Sequence, residues 1–191
     1  MYKVVSVSLI SVSLIVNIIL LYTSPASPLQ QQAMALTQIT KSTFSTYTNH
    51  LSPHSGIMIQ YPSDWDIEQT SNSSIIVRFH SPLNSVITIK ISRLPSYSTL
   101  AKEATGAINL LSKAFTSFSP VDSGSSTTLA GNPAERLVFG ARAGQVEIKE
   151  LQVFTIKGGT EYILSYGSTK EVFSKDLPVA QKMIDSFQIT R

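Results

Sequence analysis

The chain has 191 residues, 42% of them hydrophobic, no cysteine, a formal charge of +3 and a pI of about 9.1. That length holds one ordinary domain with additional segments. The lack of cysteine excludes disulfides, thiol catalysis and cysteine-ligated zinc. Lys and Arg are dispersed, with no basic run of the kind that marks nucleic-acid binders, so no nucleic-acid partner is expected.

Charge is distributed unevenly along the chain. Lys3 is the only charged residue before Lys41, which leaves 14 basic groups against 12 acidic ones in the remainder. Val4 to Tyr22 is an uncharged, mostly apolar run, and about 20 such residues span a bilayer core as a helix. Residues 1–22 are therefore predicted to be a membrane anchor or signal segment. Two small-residue cleavage sites follow, Ser24-Pro25-Ala26 and Ala33-Met34-Ala35, but secretory signals have shorter apolar regions, and the length favours an anchor. Lys3 keeps the N-terminus cytoplasmic, which predicts that everything after Tyr22 lies outside, anchored or secreted. Residues 23–55, rich in Ser, Thr, Pro and Gln, read as a flexible tether.

The globular domain is predicted over 56–191. Ile57, Ile59 and Tyr61 alternate with Met58 and Gln60, the period of a half-buried strand. After Pro62-Ser63-Asp64, Trp65 and Ile67 alternate with Asp64, Asp66 and Glu68. Ile75–His80 and Val86–Ser92 then form a meander about Pro82-Leu83-Asn84-Ser85. Over Tyr97–Phe118 the period lengthens. Leu100, Ala104, Ala107, Ile108, Leu111, Phe115 and Phe118 make the apolar stripe of a helix, with Ser96 or Ser98 placed to cap it. The polar stretch Asp122–Thr128 leads to a turn at Ala130-Gly131-Asn132-Pro133. Strands follow at Ala134–Gly140, Val146–Lys157 and Thr160–Tyr166, the last two joined by a Gly158-Gly159 hairpin. Val146–Lys157 changes apolar parity near Glu150, which predicts a bulge or a strand covered on both faces. A closing helix carries Phe173, Leu177, Ala180, Ile184 and Phe187, with Asp176 and Pro178 as cap and first turn of a restart. This order predicts an α+β fold, helices packed on an antiparallel sheet.

Several phrases resemble the PsbP family. They are YPSDWDI at Tyr61–Ile67, AGNPAERLVF at Ala130–Phe139, ELQVFTIKGGTEYILSY at Glu150–Tyr166 and VFSKDLPVAQKMIDSFQI at Val172–Ile189. The resemblance implies an α/β/α sandwich with a central antiparallel sheet and helices on both faces. Photosynthetic members dock on a membrane complex and help retain calcium and chloride; other relatives are mostly binding or accessory proteins. The N-terminal region here has no motif matching the segment that photosynthetic members dock with.

For chemistry, Asp64, Asp66 and Glu68 share one side of a predicted strand, a candidate oxygen-ligand set for calcium or an ordinary solvated face. The EF-hand pattern is missing, with Gln69 and Ile75 where its Gly and Glu would stand. His50 and His54 have helical metal-pair spacing within a stretch broken by Pro53, and His80 falls on a wet strand face. Asn72-Ser73-Ser74 is a glycosylation sequon in a predicted turn. Hydrolase, phosphate-loop and dinucleotide motifs are absent, so no catalytic residue and no cofactor are assigned. The expected function is an exported, membrane-tethered binding module without catalytic activity, meeting an unidentified protein partner at the membrane. The alternatives are a small-ligand binder with a cleft at Tyr61, Tyr162 or Tyr166, and an exported hydrolase.

Overall fold

In a computed structural model of the chain, the structure describes residues 43–52, 55–70, 74–115 and 117–190. The apolar run 4–22, most of the predicted tether, His54 and Asn72 lie outside them. No helix among the described residues is long and apolar enough to cross a membrane.

The main sheet has seven antiparallel strands in the order β3-β4-β5-β9-β8-β7-β6. They are β3 (Asp66–Gln69), β4 (Ile75–His80), β5 (Val86–Arg93), β6 (Ser119–Leu129), β7 (Asn132–Ala143), β8 (Val146–Lys157) and β9 (Thr160–Thr169). Its tight hairpins use left-handed backbone. Gly158 and Gly159 have φ of 57° and 72° in the β8–β9 turn, where a residue lacking Cβ avoids steric cost. The expected single sheet is accompanied by a second, formed by β1 (Phe44–Ser52), β2 (Ser55–Pro62) and β10 (Gln188–Thr190). β1 corrects the predicted tether, because the folded domain begins at or before Phe44 and not at Gly56. Tyr47 is the buried anchor of β1, set edge-on to Phe79 at 5.7 Å between ring centroids. Gly56 is pinched between β1 and β10; a Cβ there would come within 2.7 Å of Asn49 O and 2.8 Å of Thr190 Oγ1.

Helix α1 (Leu100–Ala114) is shorter than its apolar stripe. Thr99 caps it in place of either predicted serine, its Oγ1 accepting from Lys102 N at 3.3 Å. Phe115 leaves the helix in extended conformation yet remains buried. The polar stretch expected to be a connection is instead β6, an eleven-residue edge strand with two register shifts against β7. Helix α2 (Lys170–Asp185) runs without a break through Pro178, so Asp176 is not the cap of a restart. Its carboxylate is buried and accepts hydrogen bonds from Ser81 Oγ at 2.7 Å and Ser85 Oγ at 2.6 Å.

Two clusters fall on alternate residues of β7, which project to opposite sides of a strand. Leu137, Phe139, Ala141 and Ala143 pack with Leu111 of α1 and with Phe115 just past its end. Ala134 and Val138 join a larger cluster with Phe173, Ala180, Met183 and Ile184 of α2, Trp65, and Tyr47, Ile57 and Ile59 of the small sheet. Strand β8 keeps an unbroken register with both neighbours and is buried on both faces from Glu150 to Thr155. The parity change at Glu150 therefore reflects cover on both faces, not a bulge. Leu111 and Ile184 are 0% and 4% exposed. Truncation of either to Ala is expected to lower unfolding free energy by about 2–5 kcal/mol, read from urea denaturation.

Candidate functional site

The carboxylates singled out from the sequence do not form one array. Asp64 sits in the turn closed by Trp65 N donating to Pro62 O at 3.0 Å, ahead of β3. Asp66 and Glu68 lie on β3, whose residues are all exposed. Glu68 is already engaged: Arg78 Nη1 lies 2.5 Å from Oε1 and His80 Nε2 lies 3.0 Å from Oε2. His50 is exposed at the end of β1. No cluster of three or more potential metal ligands occurs among the described residues. The tyrosines proposed to line a cleft are mostly core: Tyr162 and Tyr166 are 5% and 0% exposed, and Tyr166 Oη donates to Phe173 O at 2.7 Å. Tyr61 is half-buried, its ring 5.1 Å from that of Phe79.

Register brings together a polar set whose members lie far apart in the sequence. Glu68, Arg78, Thr88, Ser165 and Gln152 are successive cross-strand partners over five strands, ending at Leu137 on β7. Cross-strand partners share a side of the sheet, so this row lies on the Phe139 side, with Lys90, Glu150 and Glu161 flanking it. The other side at the same level is apolar, with Val77, Phe79, Ile87, Ile89, Leu164 and Leu151 all buried. From Arg78 to Gln152 the row is buried, as are Lys90, Glu150 and Glu161. Burial pushes Glu150 up to about 7, against the Gln152 amide, the neighbouring Ser165 and the charge of Lys90. Glu161 is likewise raised to about 7 by burial and by the charge of Glu103, opposed by Ser92 and Lys90. Lys90 is lowered to about 8, burial outweighing its attraction to Glu150 and Glu161. Gln152 Nε2 donates to Glu150 Oε1 at 2.8 Å, while Glu150 Oε2 and the adjacent Ser165 Oγ complete no hydrogen bond of normal geometry. The parity change at Glu150 was the sequence signal for this row.

A second feature is open to the surface. A groove of about 670 Å3 lies at the β7–β8 hairpin end of the sheet. β6 and the segment before it contribute Ser117, Ser119 and Val121; β7 contributes Arg142; β8 contributes Glu147 and Lys149; α2 contributes Lys170 and Ser174. Glu147 bridges Arg142 Nη2 at 3.2 Å and Lys170 Nζ at 3.0 Å. The hydrogen bond and charge of Lys170, with Arg142, hold its carboxyl below the usual range. Lys149 Nζ stands 4.8 Å from the centre of the Phe173 ring, a cation–π distance. Regular strands and a helix wall this concavity, which suits it to hold a shaped partner.

A seven-stranded antiparallel sheet, a small accessory sheet and two helices in this order place the domain in the PsbP-like fold class. The solved structure of LpqN from Mycobacterium tuberculosis, described as involved in cell envelope biogenesis, matches with a TM-score of 0.60 at 19% identity. The match covers 78% of this chain and 92% of that one. Cyanobacterial PsbP (CyanoP) from Synechocystis sp. PCC 6803 matches with a TM-score of 0.60 at 14% identity, over 80% of this chain and 95% of that one. No protein-family model matches the sequence, and no curated protein matches it. The likeness expected from the sequence phrases is thus present at the level of fold.

Proposed function

We propose that the chain is an extracytoplasmic, envelope-associated binding module without catalytic activity, tethered to the membrane by its N-terminal apolar run. The observation that carries this reading is the charged groove at the β7–β8 end, open to solvent and built on rigid elements. The groove is where the module meets its partner at the membrane. The description of LpqN as an envelope-biogenesis protein supports the compartment by analogy of fold. Clusters on alternate residues of β7 support an α/β/α layering, α1 on one side of the main sheet and α2 with the small sheet on the other. Two hydroxyls near a carboxylate, Ser81 and Ser85, are committed to a buried latch on Asp176 and are not presented to substrate.

Protease added to intact cells is expected to remove the domain, and a protected domain would place it in the cytoplasm. A photo-cross-linking residue replacing Val121, which is 64% exposed at the groove, should give a discrete membrane-fraction adduct. The same residue at Asn84, in the β4–β5 turn, should not. Equal adducts from both positions, or turnover of generic esterase, phosphatase, peptidase or glycosidase substrates that a point mutation abolishes, would overturn the reading.

A further inference from the structure

We propose that the groove binds an anionic group, a phosphate or carboxylate carried on a small polar molecule. This rests on reading the groove as the contact site and adds the chemistry of what occupies it. Three cations, Arg142, Lys149 and Lys170, line the groove against a single carboxylate, Glu147. Glu147 holds the heads of Arg142 and Lys170, so it orders two of the positive groups but cannot neutralise all three. Lys149, on the strand that carries Glu147, contributes a further charge steadied over Phe173.

The position of Lys170 strengthens the argument. It is the first residue of α2, where the helix dipole is positive and a cation is disfavoured. The acid that suits this end of the helix, Glu171, stands one position later. Local choices that work against stability concentrate at functional sites. Here the unfavourable lysine adds to a positive potential that already has two other sources. Ser117, Ser119 and Ser174 bring hydroxyl donors to the same wall. Phosphate and carboxylate oxygens collect charge-assisted hydrogen bonds from such a set. The volume, about 670 Å3, leaves room for a body beyond the anion itself. Exposed Val121 offers that body an apolar contact.

The test uses the full-length protein in a nonionic detergent, with calorimetric titration of inorganic phosphate, dihexanoyl phosphatidic acid and dihexanoyl phosphatidylcholine. Inorganic phosphate and the phosphatidic acid should both bind, and the zwitterionic lipid should not. Much tighter binding of the acidic lipid assigns the anion to a headgroup; equal binding assigns it to a soluble ligand. Lys149→Gln/Lys170→Gln should weaken binding by about tenfold or more, while Lys113→Gln on α1 leaves it unchanged. Glu147→Gln removes the competing carboxylate and should tighten binding severalfold, an effect that general damage to the fold does not produce. Failure of wild type to bind either anionic probe would overturn the proposal. So would unchanged affinity in the double lysine variant, or weaker binding by the Glu147 variant. A discrete adduct from Val121 in that case would leave the binding-module reading standing with a different ligand chemistry.

Discussion

Asp176→Ala is expected to destabilise the domain by about 3–5 kcal/mol, from the loss of two charge-assisted hydrogen bonds and the stranding of buried donors. Both serine hydroxyls reach the same carboxylate oxygen, at 2.7 and 2.6 Å. Ser81 Oγ also accepts from Leu83 N at 3.1 Å and Ser85 N at 2.9 Å, so the bond from α2 organises the whole β4–β5 turn. That turn includes Asn84 at φ 64°, a conformation Asn tolerates better than most residues. An N-cap aspartate would cost only about 1 kcal/mol on removal. The size of the effect therefore separates a latch from the cap expected of this residue. Asp176→Asn, which keeps one acceptor oxygen without the charge, should fall between wild type and the Ala variant. Combining Asp176→Ala with Ser81→Ala should cost less than the two changes summed, because they break one interaction. Urea denaturation of the full-length protein measures each value. A loss near 1 kcal/mol, or strict additivity, would refute the latch.

Stability is expected to rise as pH falls from 8 to about 5.5, by about 2–4 kcal/mol. Glu150 and Glu161 have folded-state values of about 7, above the ordinary carboxylate value of 4.5. At pH 8 both are ionised in the folded and the unfolded chain, but only the folded chain bears the cost of burying the charge. Descending through 7, the folded protein takes up protons that the unfolded chain does not bind until pH approaches 4.5. The gain accrues between those limits and is then complete. Lys90 acts in a different window. Its folded value of about 8 lies below the ordinary 10.5, so its penalty builds as pH falls from 10.5 to 8 and stays nearly constant below. Glu147, depressed by Lys170 and Arg142, loses its contribution only under more acidic conditions. Glu150→Gln removes the charge while keeping the shape. It should stabilise the protein at pH 8 by about 1–3 kcal/mol and flatten the profile by about half. Denaturation curves collected every half pH unit test this. A flat or falling profile between pH 8 and 5.5, or a Gln variant less stable than wild type at pH 8, would count against the buried polar row.

The elements legible along the chain are those with a local hydrophobic period. The alternation of Ile57, Ile59 and Tyr61, the Ile-rich run of β5 and the apolar stripe through Leu111 each mark one apolar face, and one apolar face is what a hydrophobic period reports. The Gly158-Gly159 turn was legible because left-handed backbone favours glycine. Tertiary structure alone decided the rest. β1 and β6 have few apolar residues and become strands because neighbouring strands pair with their backbones, and a sequence period carries no record of such pairing. Lys90 and Thr88 alternate with Ile87 and Ile89 and form the polar face of the same strand, yet both are buried. Whether a polar strand face meets water depends on what the remote chain lays over it. Asp176 had a plausible local role at a helix start, and only the arrival of Ser81 and Ser85, more than 90 residues earlier in the chain, made it a buried acceptor. The groove follows the same rule, since Arg142, Glu147 and Lys170 sit on three separate elements and become one charged site only where β7, β8 and α2 converge.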